Sequence, residues 1–166
     1  MNYKIIMKNI KCFVFDVDGV LTNGMLHVTT TGELLRQMSI RDGYALKEAS
    51  SQGYKICIIS GGKNEGVRVR LRNLGITDIH LGIHDKVEVL KEFCDIYQIK
   101  MEEILYMGDD IPDLYPMKIV GLPTCPQDAC AEVKNISKYV SHQRGGEGAV
   151  RDVIEQVLKV QGKWMV

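Results

Sequence analysis

The chain has 166 residues, of which 45% are hydrophobic and 25% charged, enough for a sizeable core without metal or disulfide staples. Its 21 basic and 21 acidic residues cancel, so no global field attracts nucleic acid or an anionic membrane, and an anionic ligand has to be held by a local site. The cysteines are odd in number: Cys12, Cys57 and Cys94 lie inside apolar runs, and Cys125 and Cys130 lack the second pair or nearby histidine of a zinc set, so a reducing, cytoplasmic compartment is expected.

Residues 1–12 hold lysines but no apolar stretch before a small-residue cleavage site, and no apolar run approaches about 18 residues, so neither a secretory leader nor a membrane span is expected. Cys12–Val17 (CFVFDV) reads as the first buried strand. The segment between Val20 and Met38 breaks the pattern. Thr22-Asn23-Gly24 and Thr30-Thr31-Gly32 are turn signals around the alternating run Met25–Thr29, which predicts a projecting β-hairpin. Asp42 is placed to cap a helix through Ala45, Leu46 and Ala49, with Gly53 just past its end. Lys55–Ser60 is a second strand. Asn64 caps a helix through Val67, Leu71 and Leu74 that stops at Gly75, and Asp78–Leu81 is a third strand. Lys86–Tyr97 repeats apolar residues at Val87, Leu90, Phe93 and Cys94, a helical interval; Ile104–Met107 and Lys118–Leu122 read as strands and Ala149–Val160 as the last helix.

Near-continuous apolar strands alternating with amphipathic segments predict an α/β fold, a doubly wound parallel sheet covered on both faces with right-handed crossovers. No internal repeat, low-complexity tract or linker divides the chain, so residues 1–166 are expected to form one domain.

In open α/β sheets ligands bind beyond the carboxyl ends of the strands. The first strand ends in Asp16-Val17-Asp18-Gly19 and the second in Ser60-Gly61-Gly62. The third is followed by His84-Asp85-Lys86 at a helix start, and the fourth by Gly108-Asp109-Asp110 with Asp113 beyond. Taken singly each has an ordinary explanation: carboxylates and glycine make turns, a serine caps a helix, a lysine is a solvated surface residue. Their joint occurrence, in order and each at a strand's end, points to a site.

These four segments, Asp16-x-Asp18, Ser60, Lys86 and Gly108-Asp109-Asp110-x-x-Asp113, resemble the four motifs of the haloacid dehalogenase superfamily across almost the whole chain. The resemblance implies a Rossmann-like fold, a requirement for Mg²⁺ and hydrolysis of phosphate esters. It assigns metal binding to Asp16, Asp109 and the main-chain carbonyl of Asp18. Asp16 becomes the nucleophile and Asp18 the acid and base. Ser60, with the backbone N–H groups of Gly61 and Gly62, holds phosphoryl oxygens, and Lys86 balances their charge. Asp110 and Asp113 orient waters or Lys86 from behind. Chemistry agrees: a phosphoryl dianion repels a carboxylate, so positive charge has to be supplied first, and Mg²⁺ takes hard oxygen ligands. A second carboxylate at Asp18 suits an alkoxide leaving group, which needs a proton.

About forty residues separate Asp18 from Ser60, and the hairpin and one helix use most of them, so no cap domain is expected. Three features are similar to one capless branch, the 3-deoxy-D-manno-octulosonate 8-phosphate (KDO 8-phosphate) phosphatases: the opening Asp16-Val-Asp-Gly-Val-Leu-Thr22 with its hairpin, Arg41-Asp42-Gly43, and the tail Arg144-Gly145-Gly146-Glu147-Gly148-Ala149-Val150-Arg151. That branch implies a phosphorylated sugar acid as substrate, a homotetramer joined through hairpins, and a glycine-rich tail covering a neighbour's site, with Arg144 set to meet a carboxylate. The motifs leave phosphatases of nine-carbon sialic-type acids open; Gly62, with no side chain to touch a longer tail, tilts toward the eight-carbon acid. A phosphotransferase and a non-catalytic scaffold retaining the fold also stay open. His27, His80, His84 and His142 lack metal-ligand spacing, and Trp164 and Met165 read as terminal packing.

Overall fold

The structure, a computed structural model, describes residues 2–165. A short helix α1 (Tyr3–Met7) leads into strand β1 (Cys12–Phe15), whose residues are all buried. Strands β2 (His27–Val28) and β3 (Leu34–Leu35) pair antiparallel with each other alone and form the projecting hairpin. Then come helix α2 (Ile40–Ser51), strand β4 (Lys55–Ile59), helix α3 (Glu65–Asn73), strand β5 (Asp78–His80) and helix α4 (Lys86–Tyr97). Strand β6 (Ile104–Met107), helix α5 (Leu114–Ile119), strand β7 (Leu122–Cys125), helix α6 (Ala131–Ile136), strand β8 (Tyr139–Val140) and helix α7 (Ala149–Val160) complete the order.

The main sheet runs β5-β4-β1-β6-β7-β8, and all its neighbouring strands are parallel. Parallel neighbours cannot be joined by tight turns, so the connections cross over as helices and bury both faces. Side-chain alternation divides the core accordingly. Phe13, Phe15, Ile56 and Ile58 face one layer with α2 and α7; Val14, Cys57, Ile59 and Tyr106 face the other with Leu90 and Phe93 of α4. Phe13 stacks near Phe15 at 6.0 Å and against Tyr54 at 5.3 Å between ring centroids. Each such aromatic side chain, fully buried, contributes about 1.5–3 kcal/mol relative to exposure.

Because β1 lies between β4 and β6, the chain departs from it in opposite directions, and the loops after these strands open a crevice. Nothing in the described residues forms a cap over it, and no helix among them is long and apolar enough to cross a membrane. All the cysteines are free thiols.

Two elements depart from expectation. Lys118–Leu122 is not a strand: its first half ends α5, and β7 starts at Leu122. The reason lies at Gly121, which donates to the carbonyl of Met101 and passes so close to Glu102 that a Cβ there would sit 2.2 Å from the Glu102 carbonyl oxygen. The strand starts only after that crossing. Asp42 does not cap α2, since Ser39 does so by accepting from the Asp42 N–H at 3.2 Å. The Asp42 carboxylate instead accepts from the Arg151 N–H in the first turn of α7, at 2.9 Å, which ties α2 to α7. Helices α1, α5 and α6 and strand β8 are additions to the expected set.

Candidate active site

Asp16 follows β1 and donates its N–H to the Met107 carbonyl at 3.2 Å, which continues the pairing with β6 and sets the carboxylate in the crevice. One carboxylate oxygen accepts from the Val17 N–H at 2.7 Å; the other lies 2.9 Å from Lys86 Nζ. Lys86 opens α4, where Asp85 caps the helix by accepting from the Glu88 N–H, so its ammonium is delivered from the end of a regular element. The same ammonium donates to Asp113 Oδ1 at 2.8 Å.

Asp113 is fully buried and its oxygens are engaged by three donors: Oδ1 accepts from Lys86 and from the Tyr106 hydroxyl at 2.8 Å, and Oδ2 from the Asp109 N–H at 3.0 Å. The Gly-Asp-Asp turn is thereby folded onto Asp113, and only glycine fits at Gly108, where a Cβ would stand 2.3 Å from the Asp113 Cβ. Gly19 is equally constrained. Its φ is +83°, and a Cβ there would lie 1.8 Å from Asp109 Oδ2.

Asp16, Asp109 and Asp113 offer oxygens that lie within 4.8 Å of one another. Three carboxylates around one ammonium leave two formal negative charges in surplus, a hard-oxygen set fit for a divalent cation. The titrations carry the same message. Burial, then Asp113 and Asp110, push Asp109 up to about 7 against the pull of Lys86. Asp16 is raised by burial and by Asp113, with Lys86 opposing. Burial alone would lower Lys86, but Asp16 and Asp113 outweigh it and the group is raised. Asp113 carries three donors, Asp16 the Val17 N–H and Lys86, so Asp113 is the more fully engaged of the two.

Ser60 is buried, and its Oγ accepts from the Gly62 N–H at 3.1 Å, which leaves the hydroxyl hydrogen to donate. Gly61 and Gly62 line a cavity of about 500 Å³ together with Asp16, Asp18, Ser60, Lys86, Asp109 and Asp110. Asp110 is exposed and caps the turn that follows by accepting from the Ile111 N–H. His84, which lacks metal-ligand spacing in the sequence, lines the same cavity. A slightly larger hollow of about 630 Å³ beside α7 is lined by Arg41, Arg151, Asp152 and Glu155; it holds no residue of the four strand-end motifs, and Arg151 is already paired with Glu155 at 3.3 Å.

The structure thus brings together Asp16, Asp18, Ser60, Gly61, Gly62, Lys86, Asp109 and Asp110 around one cavity with Asp113 beneath it, and Arg144 is the residue it does not bring. Arg144 is 61% exposed at its side chain and lies 3.8 Å from Asp128. The glycines after it pack on their own chain: Gly146 donates to the Val20 carbonyl, and a Cβ on Gly145 would lie 1.9 Å from the Gly19 carbonyl oxygen. In its own chain, then, this segment buttresses the Asp16–Gly24 loop.

Two residues in the site escaped the sequence reading. Tyr106 had only the signature of a core aromatic, yet it holds Asp113. Arg36, just past β3, reaches back to Asp18 with Nε to Oδ1 at 2.8 Å and Nη2 to Oδ2 at 3.1 Å. Nothing in the hairpin's alternation marks it.

Residues 75–154 match the family model of haloacid dehalogenase-like hydrolases. The 3-deoxy-D-manno-octulosonate 8-phosphate phosphatase of Salmonella typhi is 35% identical over 156 residues, spanning 94% of this chain and 83% of that protein. Among solved structures, the 3-deoxy-D-manno-octulosonate 8-phosphate phosphatase of Moraxella catarrhalis, in complex with magnesium ion, phosphate ion and KDO, superposes with a TM-score of 0.94 at 32% identity, over 99% of this chain and 95% of that one. A probable YrbI family phosphatase of Pseudomonas syringae gives a TM-score of 0.96 at 36% identity, over 98% and 93% of the two chains.

Proposed function

This chain belongs to the haloacid dehalogenase-like hydrolases, in the branch without a cap domain, and from that membership we propose that it is a Mg²⁺-dependent phosphomonoesterase of KDO 8-phosphate, releasing KDO and phosphate in the making of lipopolysaccharide sugar. The observation that carries this reading is the buried ammonium of Lys86 held between Asp16 and Asp113, with Asp109 beside them and Asp18 across the same cavity.

Mg²⁺ held by Asp16, Asp109 and the main-chain carbonyl of Asp18 would draw charge from the phosphoryl oxygens, so that a carboxylate can approach phosphorus. The Ser60 hydroxyl, held by the Gly62 N–H, and the backbone N–H of Gly61 would grip those oxygens. A carboxylate oxygen of Asp16 attacks phosphorus and displaces the sugar alkoxide, forming an aspartyl phosphate. Asp18 gives the leaving oxygen its proton, then takes one from the water that cleaves the acyl phosphate and restores Asp16. Lys86 stays paired with Asp113 throughout and balances the charge on Asp16 and the phosphoryl group. Asp113 positions Lys86 and the Asp109 turn, and Asp110 orients water at the cavity's edge.

The substrate is a small phosphorylated sugar acid; the chain works in the cytoplasm as a single domain, without nucleic acid or membrane. The exposed apolar side chains of the hairpin, Met25, Leu26, Val28, Leu34 and Leu35, suit burial against further copies, and the homotetramer implied by the branch resemblance would bury them. In such an assembly Arg144, exposed at the surface, is available to a neighbour's substrate carboxylate.

Phosphate release with Mg²⁺ from KDO 8-phosphate, a nine-carbon sialic-type 9-phosphate and simple sugar phosphates tests the reading. A preference for KDO 8-phosphate of about a hundredfold in kcat/KM is expected, or about 2.7 kcal/mol of transition-state discrimination. Preference for the nine-carbon acid would change the substrate and leave the chemistry standing. No turnover of any of them would overturn the phosphatase assignment.

A further inference from the structure

Arg36, just past the hairpin's second strand, hydrogen-bonds a motif carboxylate, Asp18. Its guanidinium meets Asp18 as a fork, Nε to Oδ1 at 2.8 Å and Nη2 to Oδ2 at 3.1 Å, while Nη1 donates to the Leu34 carbonyl at 3.0 Å. The same Leu34 carbonyl accepts from Asn64 Nδ2 at 3.0 Å, and Asn64 caps α3, so the base of the arginine is tied to the main body. This is unlike a solvated surface pair: the Arg36 side chain is 8% exposed and that of Asp18 38%. Space is kept for it by Gly62, where a Cβ would stand 3.0 Å from Arg36 Nη2 and 3.1 Å from Asp18 Oδ2. Asp18 lines the cavity and Arg36 does not, so the guanidinium approaches the carboxylate from outside the space a substrate enters.

We propose that Arg36 is a positioning residue that fixes the Asp18 carboxylate for proton transfer to the leaving oxygen, making the hairpin part of the catalytic machinery. The inference rests on the phosphatase reading above, in which Asp18 is the acid and base. A carboxylate on a short aspartate stem rotates about two torsions, and proton transfer to a leaving group needs an oxygen turned into the cavity. Two parallel N–H···O bonds from a planar fork select that setting, which a single-point ammonium cannot do. Each carboxylate oxygen has a second lone pair, so the pair leaves Asp18 able to exchange a proton on the cavity side.

The leaving group separates this role from others. A sugar alkoxide needs a proton as it departs; p-nitrophenolate does not. Steady-state kinetics with Mg²⁺ on the full chain, Arg36→Ala, Arg36→Lys, Asp18→Asn and the Arg36→Ala/Asp18→Asn double variant therefore use KDO 8-phosphate and p-nitrophenyl phosphate side by side. Arg36→Ala is expected to lower kcat on KDO 8-phosphate by about 10- to 100-fold, part of the contribution of a general acid, with Arg36→Lys losing less. Asp18 also activates the water of the second step, so the two substrates are compared in the first turnover, before the aspartyl phosphate is cleaved. There the loss on p-nitrophenyl phosphate stays within about threefold, and once Asp18 is Asn, removing Arg36 costs no more than about threefold further on either substrate. If Arg36→Ala does not fold, Arg36→Lys alone, with first-turnover release slowed only for the sugar phosphate, supports the proposal. Equal first-turnover losses on both substrates, additive losses in the double variant, or a raised KM with unchanged kcat would overturn it, the last marking Arg36 as a substrate contact. Those outcomes leave the phosphatase reading intact, whereas a wild-type chain inert toward both substrates removes that reading and this proposal together.

Discussion

Nζ of Lys86 lies 2.8 Å from Oδ1 of Asp113, a fully buried carboxylate supplied 27 residues downstream. This pairing fixes the ammonium before any substrate arrives. On the proposed covalent route Asp16, the third member, would take and release a phosphoryl group without losing its counter-charge. Pre-set charge of this kind needs no reorganisation during the reaction, which is where its catalytic value lies.

Replacing the ammonium by an apolar chain of similar length should therefore cost both stability and rate. Lys86→Met leaves Asp16 and Asp113 without their cation, and breaking a buried pair in this way costs about 3–5 kcal/mol. Turnover should fall by about 100-fold or more, the scale seen when one stabilising charge or donor is removed. Urea unfolding and phosphate release check the two halves separately; a variant as stable and as active as wild type would refute the role.

The Asp109 titration makes stability depend on pH and metal together. In the folded, metal-free chain Asp109 is raised to about 7 from its ordinary 3.8. Between those values the folded state keeps a proton the unfolded state has lost, so this group's contribution to stability is present below the lower value and is lost as pH rises to about 7. Asp16, raised as well, acts in the same sense. Mg²⁺ competes with the proton, so its addition should raise the melting temperature more at pH about 8 than at pH about 5. Melts with and without Mg²⁺ at the two pH values check this, and a larger effect in acid would contradict it.

Gly19→Ala tests the close approach beneath Asp109. The added Cβ would lie 1.8 Å from Asp109 Oδ2, at a φ of +83°. The backbone conflict alone should destabilise the chain by more than about 1 kcal/mol. Displacement of Asp109 should weaken Mg²⁺ binding by about tenfold or more, the scale of disturbing a ligand's support. Calorimetric titration with Mg²⁺ reads the second effect, and unchanged affinity would show that Asp109 does not ligate.

The hairpin's exposed apolar residues predict an assembly that a charge can break. Leu35 and Val28 are both exposed, and Leu35→Asp with Val28→Asp places two carboxylates on that surface. Sedimentation should show a tetramer for the wild type and smaller species for the variant. Equal masses for the two would place the subunit contacts elsewhere.

Much of the site was legible because each strand's carboxyl end is also its functional end: Asp16, Ser60, Lys86 and Asp109 each follow a short apolar run, and the sheet does the rest. The hairpin was legible for a related reason, since Thr-Asn-Gly and Thr-Thr-Gly punctuate an alternating run. What sequence could not carry are contacts that depend on the path between elements. Lys118–Val120 has a strand's composition, but the close passage of Gly121 over Glu102 delays β7 until Leu122. Asp42 has a cap's composition, yet its partner is the N–H of Arg151, 109 residues away. Arg36 joins Asp18 only because the hairpin turns back on itself, and Arg144 was given to a neighbour's site, while within its own chain the glycines after it support a loop.

The central claim is that Asp16 attacks phosphorus, and Asp16→Asn tests it most directly. The variant keeps the shape of the side chain and removes the nucleophilic oxygen pair. Phosphate release from KDO 8-phosphate with saturating Mg²⁺ should fall by at least about 10⁴-fold, the scale of deleting a nucleophile, while the variant still folds. A folded Asp16→Asn protein that retains turnover within about tenfold of wild type would contradict the covalent route.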